Sequence, residues 1–435
     1  MQHIVIVGGG AGGLQLATRL GHYFTGKSIL RRRRTAPDVR VTLVDRNRTH
    51  IWKPLLHQVA TGSLDSGLDA LNYHVHARKN GFRFELGHLQ KLDRQRQVIE
   101  LAPVEDADGR QLVPARELPY DQLVIALGSH SNDFNTPGVR EHCVFLDSTQ
   151  QAQRFHQQLL DRFLQLQTHT AATIDVAIVG GGATGVELAA ELVEASGQMA
   201  RYGHIPPNAL QVTLIEAGAH LLPALPARLG NNAQRELTRM GVRVMTGCAV
   251  KEASDEGFVT AAGDKIPAAI RLWAAGVKAP EFLRGLDGLT TNRINQIKVN
   301  TQLQSVSDGK IFALGDCAGC VDSAGQRVPP RAQAAQQMAG VAEHNLIAQI
   351  EGRPLQAFRY RDHGSLVSLS KYTAIGNLMG ALVKGSLTVE GRLAGVAYRS
   401  LYRMHLAAVH GWAKAMLIYV VGQANRFVKP RMKLH

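Results

Sequence analysis

The chain has 435 residues, 45% of them hydrophobic and 19% charged, with a mean hydropathy of -0.09. That is long for one hydrophobic core and enough for two or three domains; the composition excludes a disordered charged tail protein, and with no uncharged apolar run of roughly 18 residues the sequence offers no spanning helix. The formal charge is +14, and eight positives (Arg392, Arg399, Arg403, Lys414, Arg426, Lys429, Arg431, Lys433) follow Glu390 with no acid among them, which leaves +6 upstream and makes the end of the chain a basic module for an anionic partner.

From the start, Met1 to Val7 runs directly into a strand and then glycines, with no charged leader or cleavage site, so a cytoplasmic location is expected. Residues 4 to 13 read Ile-Val-Ile-Val-Gly-Gly-Gly-Ala-Gly-Gly, an amphipathic helical stretch follows, and Val41-Thr42-Leu43-Val44-Asp45 ends a short β-branched strand in an acid. Gly8 permits the tight turn, Gly10 the close approach of backbone to a pyrophosphate, and Gly13 close packing of helix on strand. The helix start then offers unpaired N–H groups and a positive dipole end to the phosphates. Asp45 lies further from the last glycine than the usual ~20 residues, so Gly26 to Arg40 reads as an insertion, and Arg31 to Arg34 within it as a solvated basic loop.

Arg46 to Gly62 contains no cysteine, which argues against a disulfide reductase. Gln97 to Leu101, Gln111 to Arg116 and Leu123 to Leu127 read as short strands, the last delivering Ala126-Leu127-Gly128-Ser129.

At 176 to 185 the first motif returns as Val-Ala-Ile-Val-Gly-Gly-Gly-Ala-Thr-Gly, followed by a helical stretch, an insertion from Gln198 to Asn208, and Val212-Thr213-Leu214-Ile215-Glu216. Gly180, Gly182 and Gly185 repeat the roles of Gly8, Gly10 and Gly13. A lone Gly-x-Gly-x-x-Gly is weak, but twice in the order strand, glycine turn, helix, strand, acid it is strong. Two dinucleotide folds imply two dinucleotides, and a pair that does chemistry together is FAD with a nicotinamide. Glu216 is followed by Ala217-Gly218 with no Arg or Lys beside it; a carboxylate accepts from a ribose 2′-OH and repels a 2′-phosphate, so NADH is preferred over NADPH.

Leu272-Trp273-Ala274-Ala275-Gly276 echoes the stretch before Gly128, and Ile311 to Gly315 reads as a buried strand delivering Asp316 where open α/β sheets bind ligands. Cys317-Ala318-Gly319-Cys320 is a Cys-x-x-Cys, but it follows Asp316 directly and has no second ligand pair, so it reads as structural; no metal is expected, and four cysteines are too few for a disulfide scaffold. Pro329-Pro330-Arg331-Ala332-Gln333 opens a helix with proline in its first turn, running through Gln337. On a helix from Val396 to Met416, Leu401, Tyr402, Val409, Trp412 and Met416 share one face and Arg399, Arg403, His410 and Lys414 the other, an interfacial amphipathic pattern, followed by a more apolar segment from Ala415 to Val421 and by Arg426, Lys429, Arg431 and Lys433 for anionic head groups. No nucleic-acid recognition motif is present.

The arrangement resembles the two-dinucleotide-binding-domain flavoproteins. Trp52-Lys53-Pro54-Leu55-Leu56-His57, Gly180 to Glu187, Trp273 to Gly276, Gly315-Asp316-Cys317, Ala332-Gln333-Ala334-Ala335-Gln336-Gln337 and the basic tail make it resemble, colinearly over essentially the full length, the bacterial type II NADH dehydrogenases, closely the proteobacterial respiratory form. The resemblance implies an α/β fold of two Rossmann-like domains with C-terminal amphipathic membrane-anchoring helices: an FAD-binding domain over 1–145 and 292–345, an NADH-binding domain over 146–291, and a quinone-side and anchoring region over 346–435. It assigns Gly8, Gly10, Ala11, Gly12, Gly13, Asp45, Lys53, Pro54, Leu55, Ala126, Gly128, Asp316, Ala332 and Gln333 to FAD, with Asp45 on the ribose and Asp316 on the ribityl chain. It assigns Gly180, Gly182, Thr184, Gly185, Glu187, Glu216, Ala275 and Gly276 to NADH. Glu187 would sit between nicotinamide and flavin, Gln333 and Gln337 would line a quinone pocket, and Lys371 would reach the quinone side.

The implied activity is NADH:quinone oxidoreduction without proton pumping: hydride from NADH to FAD, then two electrons to a membrane quinone. The enzyme would lie peripherally on the cytoplasmic face of the inner membrane, with the lipid surface and quinone as partners, no nucleic acid, and room for a homodimer. The competing readings are a soluble NADH-dependent reductase of a protein partner and a non-catalytic flavoprotein sensor.

Overall fold

The computed structural model describes residues 1–26, 38–65, 67, 70–106, 108–168, 172–201, 205–206, 208–369, 374–380, 383–391 and 416. The chain divides into two compact units, one of residues 1–52, 70–130 and 278–361, the other of 53–69, 131–277 and the described residues from 362 on.

The first unit is built on β1 (Gln2–Val7), α1 (Ala11–Phe24) and β2 (Val39–Asp45). Val5 and Ile6 are successive residues with no exposure, as expected of a central parallel strand covered on both faces. A six-stranded sheet runs in the order Gln304–Ser305, Asp308–Ala313, Gln122–Ile125, β1, β2, Arg83–Leu86. The register pairs Val7 with Val44 and with Ile125, and Ile125 with Ala313, all parallel. The residues after these strands therefore emerge at one edge: the first glycine loop, Asp45, Ala126 to Ser129, and Asp316. On α1, Leu14, Ala17, Leu20 and Phe24 recur at helical spacing and are buried, so one face of the helix covers the sheet. The strands Leu89–Asp93, Val98–Leu101 and Arg116–Pro119 form a separate antiparallel sheet in this unit.

The second unit repeats the plan with β3 (Ile174–Val179), α2 (Ala183–Arg201) and β4 (Leu210–Ile215) in a four-stranded parallel sheet flanked by Arg243–Met245 and Ile270–Trp273. Val179 pairs with Ile215 and with Trp273, so the second glycine loop, Glu216 and Ala274 to Gly276 also share one edge. Val139, Ala177, Val179, Ile215, Phe258 and Trp273 belong to one buried cluster. Helix Thr149–Gln167 starts at a capping box, with the Gln151 N–H donating to Ser148 Oγ at 3.2 Å and the Ser148 N–H to Gln151 Oε1 at 3.1 Å. It buries Ala152, Phe155, Leu159, Phe163 and Leu166, one face at i, i+3, i+4 spacing. Strands Gly364–Ser368, Ala374–Gly380 and Val383–Gly391 form an antiparallel sheet.

The unit boundaries differ from the expected ones, and the contacts give the reason. Residues 53–69 fall in the second unit because helix Leu56–Ala60 packs on Thr149–Gln167 and on α2. Residues 131–145 join it because Val144 bridges to Leu272 of its sheet. Residues 278–291 and 346–361 fall in the first unit. Two local readings are also corrected. The second insertion begins later than Gln198, since α2 continues to Arg201; Gln198 and Met199 simply prolong its amphipathic pattern. The helix after Pro329-Pro330 spans Ala332–Ile350 with Arg331 as its N-cap, so both prolines precede its first turn, where the missing N–H of proline costs the helix nothing.

Candidate dinucleotide sites

The two glycine loops close in the same way. The Gly8 N–H donates to the Val44 carbonyl and the Gly180 N–H to that of Ile215, both at 2.8 Å; the Ala126 N–H donates to Val7 and the Ala274 N–H to Val179, again both at 2.8 Å. Gly8 has φ +107° and Gly180 +115°, a region that L side chains rarely enter. A Cβ on Gly13 would lie 1.9 Å from the Gly8 oxygen, and one on Gly185 1.9 Å from the Gly180 oxygen. The third glycine is therefore the contact of helix on loop. A Cβ on Gly10 or Gly182 would meet nothing within 4 Å, so each of these glycines faces an open space at the helix start. Gly10 caps α1 without a side-chain bond, and neither α1 nor α2 carries an acid in its first turn. The orphan N–H groups there have no competing carboxylate and suit a pyrophosphate.

Position 12 separates the loops. A Cβ on Gly12 would stand 2.5 Å from Leu314 Cδ1 and 3.0 Å from the Ala335 oxygen, because helix Ala332–Ile350 packs on α1. Thr184, at the matching place in the second loop, is exposed.

The two acids also act alike. Asp45 Oδ2 accepts from the Gly9 N–H at 2.7 Å and Oδ1 from the Asn47 N–H at 2.8 Å. Glu216 Oε2 accepts from the Gly181 N–H and Oε1 from the Gly218 N–H, both at 2.6 Å. Each carboxylate ties the middle glycine of its loop to its own turn, and each oxygen keeps acceptor capacity for a ribose hydroxyl. Burial raises the Asp45 pKa against the opposing pull of its Asn47 and Gly9 donors.

At the same edge of the first sheet, Ala126 is buried, Gly128 has φ +68° with open space where a Cβ would stand, and Asp316 Oδ2 accepts from Ser129 Oγ at 2.7 Å. Gly315 turns Asp316 into place with φ +72°. Open glycine positions, orphan helix N–H groups and two carboxylates at one sheet edge fit FAD. The second unit has the shorter set, with Ala275 and Gly276 (φ +59°) after Trp273, and Phe134 against Gly276.

The remaining predicted residues are distributed as follows. Ala332 and Gln333 open the late helix of the first unit. Gln337 donates from Nε2 to the Arg361 carbonyl at 2.8 Å and accepts the Arg361 N–H on Oε1 at 3.0 Å, so its amide holds a loop. Lys53, Pro54 and Leu55 form a short turn grouped with the second unit, where Lys53 Nζ lies 3.3 Å from Asp147 Oδ1. Glu187 is buried on α2; its Oε1 accepts from the Ser368 N–H at 3.0 Å, and its Oε2 lies 3.6 Å from His57 Nδ1. His57 is pushed down to about 4 by burial, with the Pro54 carbonyl pulling weakly the other way. The ring is neutral at physiological pH and leaves Glu187 beside a dipole rather than a cation. Lys371 lies outside the described residues, as do Arg31 to Arg34 and, Met416 excepted, the tail helix.

The thiol pair has the environment of a packed core. Cys317 and Cys320 are buried and unpaired, and burial pushes their thiols up to about 11 and about 12. Cys317 Sγ sits 3.3 Å from the Leu314 oxygen and 3.4 Å from that of Ile125. Neither is a thiolate at neutral pH, which is what exchange chemistry requires.

Residues 2–339 match the pyridine nucleotide-disulphide oxidoreductase family. The chain is 48% identical over 453 aligned positions, covering all of both chains, to the type II NADH:quinone oxidoreductase of Haemophilus influenzae. It is 30% identical over 399 positions, 91% of each chain, to the demethylphylloquinone reductase NdbB of a Synechocystis species. Among solved structures, NDH2 of Plasmodium falciparum in complex with NADH superposes with a TM-score of 0.79 at 18% identity, covering 99% of this chain and all of the other, which bears on the fold alone. With its two glycine loops, two acids and a full-length match to an enzyme of this kind, the chain belongs to the pyridine nucleotide-disulphide oxidoreductase family and, within it, to the type II NADH:quinone oxidoreductases.

Proposed function

We propose that this chain is an NADH:quinone oxidoreductase that holds FAD in its first unit, takes NADH in its second, and delivers electrons to a membrane quinone without pumping protons. The observation that carries the reading is the duplicated loop with its two acids, in a chain matching an NADH:quinone oxidoreductase end to end. When bound, FAD supplies the redox chemistry, accepting hydride from NADH and passing two electrons on.

The protein's own part is binding and placement. Gly8, Gly10, Ala11, Gly12 and Gly13 hold the FAD pyrophosphate at the start of α1; Asp45 takes a ribose hydroxyl, and Asp316, fixed by Ser129, takes the ribityl chain. Gly180, Gly182, Thr184 and Gly185 do the same for NADH, with Glu216 on its ribose and Ala275 and Gly276 beside it. Glu187, held by the Ser368 N–H, would sit between nicotinamide and flavin. Gln333 and Gln337 would line the quinone pocket, with the Gln337 amide also holding the Arg361 main chain.

Among the described residues no helix is long and apolar enough to cross a membrane, and peripheral attachment through the amphipathic tail, on the cytoplasmic face, is part of the same reading. The purified protein should show flavin absorbance that bleaches with NADH and returns with a water-soluble quinone analogue; a flavin that NADH does not bleach would overturn the assignment. Flotation with anionic lipid vesicles should be lost when the residues after Glu390 are removed, with NADH oxidation by a soluble acceptor retained.

A further inference from the structure

Gly9 is held at both of its main-chain polar groups. Its N–H is taken by Asp45, and its carbonyl accepts from the Tyr73 hydroxyl at 2.7 Å. Tyr73 is buried at the start of helix Tyr73–Asn80, its ring stacked on Phe84 at 5.0 Å and 18° and its hydroxyl 3.4 Å from His50 Nδ1. A Cβ on Gly9 would stand 2.4 Å from the Tyr73 oxygen, so the middle glycine of this loop is glycine because the phenol lies against it.

The second loop is an internal control. The Gly181 N–H is likewise taken by its acid, Glu216, but the Gly181 carbonyl accepts from the main-chain N–H of Leu222 at 2.8 Å. The equivalent glycine is fixed at the same two main-chain groups, and only the carbonyl's donor differs. Among the described residues, the partners of the Tyr73 oxygen are that carbonyl and the His50 ring nitrogen. A buried phenol without them would be unfavourable by comparison with phenylalanine. Burial, aided by the Asp45 carboxylate, raises the Tyr73 pKa well above its ordinary value, which keeps the hydroxyl a donor at every working pH.

We propose that Tyr73 is a positioning residue for FAD: by holding the Gly9 carbonyl it fixes the first glycine loop with its helix N–H groups aimed at the pyrophosphate, the task Leu222 performs from the main chain in the second loop. The inference rests on the assignment of FAD to the first unit.

Tyr73→Phe tests it, because phenylalanine keeps the stack on Phe84 and removes only the hydroxyl. Holoenzyme is diluted and FAD release is followed as the recovery of free-flavin fluorescence, alongside the KM for NADH and the melting temperature at saturating FAD. Loss of a buried bond that leaves its acceptor unsatisfied should speed FAD release about fivefold to thirtyfold, with the NADH KM unchanged and the melting temperature at saturating FAD near that of the parent. Release at the parent rate overturns the proposal, and so does an NADH KM that rises together with FAD release, which would mark general loosening. Failure of the underlying assignment is distinguishable: Gly13→Ala in the parent chain would then leave FAD content intact, whatever Tyr73→Phe does.

Discussion

Replacing Glu216 with glutamine changes one atom of the second site. In the native chain both carboxylate oxygens accept main-chain N–H groups at 2.6 Å, from Gly181 and from Gly218. A glutamine amide has one acceptor and one donor end, so in either orientation an NH2 faces an N–H. One charge-assisted bond is lost, about 1.5–3 kcal/mol, and the loop is pushed from the conformation that receives the nucleotide. Because the ribose contact is the same in the ground and transition states, the loss should appear in KM for NADH, raised about 10- to 150-fold with kcat little changed. NADPH should lose less, since the carboxylate that repels its 2′-phosphate is gone, and the NADH/NADPH ratio of kcat/KM should narrow. The assay is steady-state oxidation of each nucleotide with a soluble quinone analogue, with flavin absorbance confirming that FAD stays bound. An unchanged KM for NADH, or equal losses for the two nucleotides, would refute the role given to Glu216.

Gly13→Ala and Gly185→Ala place a Cβ 1.9 Å from a loop oxygen in the first and second sites respectively; the first should be purified without FAD, the second with FAD that NADH no longer bleaches, and a reversal of the two outcomes would exchange the cofactor assignment. Cys317→Ser and Cys320→Ser, singly or together, should leave NADH oxidation within a few fold, because neither thiol ionises at neutral pH; loss of turnover with FAD still bound would expose a redox role. His57 is held at about 4 when folded against 6.5 when unfolded, so the unfolded chain takes up the proton first: the stability gained from the neutral ring is full above pH 6.5 and lost as pH falls toward 4, by at most about 3 kcal/mol. Urea midpoints measured across that window should flatten in His57→Leu relative to the parent, and parallel slopes would count against the assignment.

The geometry of both glycine loops was legible in the sequence because glycine is demanded there by backbone and packing that no other residue satisfies. Gly8, Gly13, Gly180 and Gly185 are written into the chain by backbone conformation and by a 1.9 Å approach, and the β-branched strands ending in Asp45 and Glu216 announce themselves by pattern. Tyr73 was not legible. Its partner is a main-chain carbonyl 64 positions away, and a single aromatic residue at a helix start carries no periodic or motif signal. His57 was hidden for a similar reason: its helix, Leu56–Ala60, is five residues long, too short for its burial on Thr149–Gln167 to show as periodicity. The bonds of the Gln337 amide to the Arg361 main chain are a loop contact that composition cannot reveal. Helix Thr149–Gln167, by contrast, was open to detection from its Ser148–Gln151 capping box and its buried face.

Asp45 and Glu216 differ by a methylene, yet each binds the N–H two residues on and the N–H of the middle glycine in its loop. Carboxylate length is therefore not what distinguishes the two sites, since the turn after each strand absorbs the difference. Besides position 12, a distinction lies at the carbonyl of that middle glycine, which is held by a phenol in one loop and by a main-chain N–H in the other. A main-chain donor is supplied by every residue but proline, so the clamp of the second loop does not depend on the chemistry of one side chain, although Leu222 is itself buried with φ +54°. A phenol is supplied by tyrosine alone, so the hold of the first loop on its cofactor is open to loss, or to adjustment, by change at one position.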